Sequence, residues 1–115
     1  MRARPEIIMT LGNAPIRNLD IDDVRQGLQD GTMVLVDVRE PHEFEAGAIP
    51  GSISMPLSQF DPAGLPADRG RVVFSCAAGV RSVRAIELAR AAGLDVDAHY
   101  AGGFKDWIRS GGPTT

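Results

Sequence analysis

The sequence predicts an α/β fold built on a mainly parallel sheet. Segments of strand length alternate with segments of helical period along the chain. The run Met33-Val34-Leu35-Val36 is continuously apolar, which suits a strand covered on both faces better than one with a wet side. Clusters of glycine, proline and small polar residues separate these segments.

Taken in order, Ile16 is expected to open the ordered domain as a short edge strand, with residues 1–15 as a flexible lead-in and 16–115 as one domain. Asp20 offers an N-cap, Asp22 and Asp23 put negative charge in a first turn, and Ile21, Val24 and Leu28 share one face. This predicts a helix over 21–29 that Gly31 ends. The strand 33–36 runs into the polar stretch Asp37-Val38-Arg39-Glu40, after which Pro41 opens a short helix over 42–46 and Gly47 stops it. Residues 53–55 read as a short strand closed by Pro56, and 57–60 as one helical turn. Residues 61–70 carry two prolines and two glycines and are expected to be mostly loop.

Val72-Val73-Phe74 is the next apolar strand. Beyond it Val83, Ile86, Leu88, Ala89 and Ala92 keep a helical period, Arg84, Glu87 and Arg90 are expected to face water, and Gly93 supplies the stop. Residues 97–100 form the last expected strand. Gly102-Gly103 then turns the chain into a helix over 104–108, whose Phe104, Trp107 and Ile108 are expected to enter the core together.

With 115 residues, 43% of them hydrophobic, the chain is long enough for one compact core. A net charge of -3 with acids and bases interspersed argues against nucleic-acid and membrane-surface roles. Ile7-Ile8-Met9, behind a basic start, is too short for a signal core or a membrane span, so a cytoplasmic protein is expected. One cysteine excludes an intramolecular disulfide. With only His42 and His99 beside it, the cysteine also falls short of a structural metal site, and no metal or cofactor is expected.

The chemistry concentrates at Cys76-Ala77-Ala78-Gly79-Val80-Arg81-Ser82. A strand feeding a short glycine-containing loop and then a helix makes an anion cradle, in which loop amides and the positive end of the helix dipole converge. A cysteine at that spot, near an arginine, is expected to ionise readily and to act as a nucleophile toward something bound as a small anion. Asp37 and Arg39 close a strand that would bring them beside this loop if the two strands are neighbours. A plain alternative for Arg39 is an i, i+4 ion pair with Glu43. His42 and His99 read as surface or packing residues rather than general bases.

These residues resemble a known family. Val36-Asp37-Val38-Arg39 with Glu43-Phe44, then Gly47-Ala48-Ile49-Pro50-Gly51, then Cys76 to Ser82, then Gly102-Gly103 with Trp107 and Gly112-Pro113, are together similar to a single-domain rhodanese. The resemblance runs from about residue 17 to the C-terminus. It implies a five-stranded, mainly parallel sheet with helices on both faces. It also implies that Cys76 accepts sulfur as a persulfide, that the amides of Ala77, Ala78, Gly79, Val80, Arg81 and Ser82 cradle the bound sulfur or oxyanion, and that Asp37 and Arg39 support the loop. Ala48 departs from the pattern, which often has histidine there.

The function implied is a sulfurtransferase that moves a sulfane sulfur from a donor such as thiosulfate to a thiophilic acceptor such as cyanide or a thiol, its partners being that donor and that acceptor. Two alternatives stand beside it: a non-catalytic module that carries or senses persulfide sulfur, and a cysteine-dependent phosphatase. Four residues separate Cys76 from Arg81, and phosphatases of that type place one more there, which favours a sulfur-sized cradle.

Overall fold

The computed structural model describes residues 14–115. Strands β1 (Arg17–Leu19), β2 (Met33–Asp37), β3 (Ile53–Ser54), β4 (Arg71–Ser75) and β5 (Ala98–Tyr100) alternate with helices α1 (Ile21–Asp30), α2 (Pro41–Ala46), α3 (Arg81–Ala91) and α4 (Gly103–Arg109). Three single 3₁₀ turns occupy the loop between β3 and β4. All strand pairings are parallel, in the order β1-β5-β4-β2-β3.

Each boundary has a local cause. Asp20 caps α1 in a reciprocal box with Asp23, and Gly31 ends it by donating to the carbonyls of Gly27 and Leu28. Pro41 at the first helical position starts α2. Strand alternation then divides the core in two. Val34, Val36, Val38, Val72 and Phe74 face Ala85, Ile86 and Ala89 of α3 on one side of the sheet. Leu35, Val73, Ala98 and Tyr100 meet Val24 of α1 and Trp107 of α4 on the other. The apolar run in β2 is continuous because both of its faces are covered.

The sheet order also locates a crevice. After β2 the chain moves outward to β3, and after β4 it moves the opposite way to β5, so the two strand ends diverge at adjacent positions. Such a switch point is where parallel α/β sheets hold ligands. Asp37 and Ser75 are in register there, with Cys76 the next residue on β4's side.

Two expectations change. Arg90 does not face water: it is 5% exposed, because its guanidinium donates to the carbonyls of Val96, Ala14 and Pro15. A helical period cannot reveal this, since the acceptors lie in the loop that follows the helix and in the distant segment before β1. Ile108 is half exposed, whereas Trp107 and Phe104 of α4 reach the core; α4 ends one residue later, at Arg109, so Ile108 lies at the helix's open end. The expected lead-in lies outside the described residues up to residue 13; the carbonyls of Ala14 and Pro15, its last two residues, accept from Arg90.

Candidate active site

The alternation that places Val72 and Phe74 on the α3 side of the sheet continues into Cys76, which is buried at the foot of the loop leading to α3. The loop curls around the sulfur. Gly79 N–H donates to Cys76 Sγ at 3.1 Å and Ser82 N–H at 3.4 Å, and the Ser82 hydroxyl lies 3.5 Å away. Gly79 makes this possible because its φ is +87° and an added Cβ would overlap the carbonyl oxygen of Ala101.

While amides turn inward, the loop's carbonyls turn outward to α4. Phe104 N–H donates to Cys76 O at 2.8 Å and Lys105 N–H to Ala77 O at 3.0 Å, which satisfies orphan donors of α4's first turn. Gly103, at φ +69°, permits that approach: a Cβ there would come within 2.6 Å of both carbonyl oxygens. The Gly102-Gly103 pair thus joins α4 to the back of the cysteine loop.

Burial pushes the Cys76 thiol up. The Ser82 hydroxyl and the amides of Ser82, Ala78 and Gly79 act in the other direction and together leave it below its ordinary value. Arg81, the arginine of the loop, is paired. Its Nη1 donates to Glu43 Oε1 at 2.7 Å and its Nη2 to Oε2 at 3.1 Å, a fork between α2 and the first turn of α3. That hydrogen-bonded pairing with Arg81, stronger than the opposing effect of burial, brings Glu43 down to about 2. Anion attraction at the sulfur therefore rests on amides.

Asp37 and Arg39 are both buried, and neither is among the hydrogen-bond partners of the sulfur. Arg39 Nε reaches Asp37 Oδ1 and Oδ2 at 3.0 and 2.9 Å, and its Nη2 reaches Oδ2 at 2.7 Å. Nη2 also donates to Gly47 O at 2.9 Å, and the guanidinium lies 4.1 Å from the Phe104 ring centroid. The pair thus ties β2 to the end of α2 and to α4, whose amides hold the Cys76 and Ala77 carbonyls. The Arg39–Glu43 ion pair is not formed: Glu43 turns to Arg81, and Arg39 meets only its main-chain oxygen, at 3.4 Å. Ala48 is buried, and its carbonyl accepts from Thr115 N–H at 3.0 Å.

One set of contacts was not legible in advance. Ser82 Oγ lies 2.7 Å from His99 Nδ1, and His99 Nε2 lies 2.7 Å from Asn18 Oδ1. His99 is 3% exposed, and burial holds its pKa below the usual range. His42 is exposed. The available signal was positional: His99 occupies the middle of a strand that is buried throughout, where an imidazole needs partners. Among the described residues no three His, Cys, Asp or Glu side chains group so as to hold a metal ion, and no helix is long and apolar enough to cross a membrane.

The sequence model of the rhodanese-like domain family matches residues 20–110. The chain belongs to that family. It is 38% identical over 101 residues to the thiosulfate sulfurtransferase/rhodanese-like domain-containing protein 3 of Mus musculus, covering 75% of this chain and 64% of the mouse protein. It is 31% identical over 105 residues to the thiosulfate:glutathione sulfurtransferase of Homo sapiens, covering 78% of this chain and 91% of the human one. A solved structure from Rhodopseudomonas palustris, described as a protein of unknown function and possible tyrosine phosphatase, superposes with a TM-score of 0.74 at 30% identity. That match covers 100% of this chain and 96% of the other. The rhodanese-like chain thus spans just under two thirds of the mouse relative.

Proposed function

We propose that this chain is a sulfurtransferase in which Cys76 takes a sulfane sulfur from a donor such as thiosulfate, holds it as a persulfide and delivers it to a thiophilic acceptor such as cyanide or a thiol. The observation that carries the reading is the inward convergence of the Gly79 and Ser82 amides and the Ser82 hydroxyl on a single buried sulfur. The Cys76 thiolate attacks the outer sulfur of thiosulfate. A new S–S bond forms, the old S–S bond breaks, and sulfite leaves with its electron pair. The negative charge then resides on the outer sulfur, within the cradle of Ala77 to Ser82. In acyl transfer each such donor is worth about 2.7–4 kcal/mol.

The acceptor's nucleophile attacks that outer sulfur and restores the Cys76 thiolate. With one cysteine in the sequence, the acceptor thiol belongs to another molecule. The human relative's name couples thiosulfate to glutathione, which supports a low-molecular-weight thiol as acceptor here. The Arg81–Glu43 pairing leaves the cradle with no uncompensated cation from the loop, so a persulfide donor is favoured over dianionic thiosulfate. A nucleophilic thiol with no disulfide partner in the sequence suits a reducing compartment such as the cytoplasm.

The phosphatase reading draws on the Rhodopseudomonas palustris structure's description. Against it stand the four-residue spacing and an arginine engaged by Glu43 rather than open to a phosphate. The discriminating experiment is steady-state turnover with thiosulfate or glutathione persulfide as donor and cyanide or glutathione as acceptor, beside an aryl phosphate. The reading expects sulfur transfer that Cys76→Ser abolishes and no phosphate release. Phosphate release lost in Cys76→Ser, without sulfur transfer, would replace it. Persulfide formation on Cys76 without turnover would assign the carrier role instead.

A further inference from the structure

Behind the cradle a line of side chains runs from Cys76 to the edge of the sheet. Ser82 Oγ is 3.5 Å from Cys76 Sγ and 2.7 Å from His99 Nδ1, and His99 Nε2 is 2.7 Å from Asn18 Oδ1. Register produces the line: Asn18 of β1 pairs with His99 of β5, and His99 pairs with Phe74 of β4, two residues before Cys76 on the same face.

The hydrogens can be counted. An amide oxygen only accepts, so His99 Nε2 carries a hydrogen, and in the neutral ring Nδ1 is an acceptor. The single hydroxyl hydrogen of Ser82 then goes to Nδ1, leaving Oγ to accept from the Cys76 thiol. A thiolate reverses the demand: Ser82 must donate to sulfur, and Nδ1 must donate to Ser82.

We propose that His99, acting through Ser82, is a positioning residue that takes up the Cys76 proton, so that thiolate and imidazolium form as one unit. In this step the Cys76 S–H bond breaks and its proton joins Ser82 Oγ, while the hydroxyl proton passes to His99 Nδ1. No proton reaches solvent and nothing is oxidised or reduced. Every group then has a partner: Nε2–H on Asn18 Oδ1, Nδ1–H on Ser82 Oγ, and Oγ–H on the thiolate. Burial alone disfavours an imidazolium at His99, and the thiolate one hydroxyl away supplies the compensating charge.

Among the described residues no other ionisable group is hydrogen-bonded into this line. Of the neighbours on α3, Arg81 binds Glu43, Arg84 binds Glu87, and Arg90 binds the carbonyls of Val96, Ala14 and Pro15. On β4, Arg71 binds Asp97. Arg17 of β1 adjoins Asn18 and is exposed, on the side of that strand opposite to Asn18.

This inference deepens the reading of Cys76 as a nucleophile, and its test is independent of sulfur transfer. The His99 ring is titrated by NMR in the wild-type protein, before and after Cys76 is capped with iodoacetamide, with exposed His42 as the internal reference. Capping removes the counter-charge, so the His99 midpoint is expected to fall by about one pH unit or more while His42 stays fixed. The rate of iodoacetamide capping against pH is then compared in wild type, Ser82→Ala and His99→Gln. Glutamine can still hold Ser82 but cannot take a proton, so both variants are expected to move the capping midpoint upward. An unchanged His99 titration after capping overturns the proposal, as does a His99→Gln capping profile that overlays the wild type. Should coupling be found without sulfur transfer from any donor, the relay stands and the sulfurtransferase reading falls.

Discussion

Glu43 and Arg81 face each other across the mouth of the cysteine loop, joined by two hydrogen bonds of 2.7 and 3.1 Å. The carboxylate cancels the cation that a loop arginine would otherwise offer to an anionic donor. Glu43→Gln keeps one acceptor for Arg81 while uncovering its charge. It is expected to lower the KM for thiosulfate about three- to ten-fold, with a steeper dependence on ionic strength, since exposed charge pairs act at this scale and are screened by salt. A KM that rises would show that the pair serves by holding the loop.

The same pair makes a pH-dependent contribution to stability. Glu43 falls from 4.5 to about 2 in the folded protein, chiefly through the Arg81 hydrogen bond acting against burial. A carboxylate depressed on folding stabilises above its unfolded pKa, and that stabilisation is lost as pH falls from 4.5 through about 2. Because both side chains are partly exposed, solvent screening limits the effect to about 1 kcal/mol. Urea unfolding between neutral and acidic pH should show wild type losing that much more stability than Glu43→Gln; parallel losses would show that the pair adds nothing measurable.

Much of this arrangement was readable in the residues, and the unreadable part has a physical cause. The continuous apolar run of β2, the Asp20 cap and the strand-loop-helix around Cys76 are local signals, and each produced the element it predicts. The pairings of Glu43 with Arg81, of Arg90 with Ala14 and Pro15, and of His99 with Asn18 and Ser82 depend on how distant segments are brought together by the sheet. Those pairings join residues up to 81 positions apart, as between Asn18 and His99, and no periodicity encodes them.

Gly79 tests the shape of the cradle. At φ +87°, with Ala101 O where an alanine Cβ would stand, Gly79→Ala is expected to destabilise the protein by about 2 kcal/mol or more and to slow capping of Cys76 by iodoacetamide. Denaturant midpoints and capping rates measure the two effects. An alanine variant of wild-type stability and reactivity would mean that the loop does not need this conformation.

Arg90 tests the correction to the helix face. Arg90→Met keeps most of the buried stem but leaves the carbonyls of Val96, Ala14 and Pro15 without their donor. A loss of about 2–4 kcal/mol in urea unfolding is expected, far above the change usual for a solvent-facing arginine. A change within about 0.5 kcal/mol would return Arg90 to the surface.

In the proposed reaction Cys76 carries the sulfur. Its most direct test is the mass of the reduced protein after incubation with thiosulfate or glutathione persulfide, followed by peptide mapping and then by addition of cyanide. One added sulfur atom is expected, located on Cys76, that cyanide removes as thiocyanate. A protein whose mass is unchanged by either donor would contradict it.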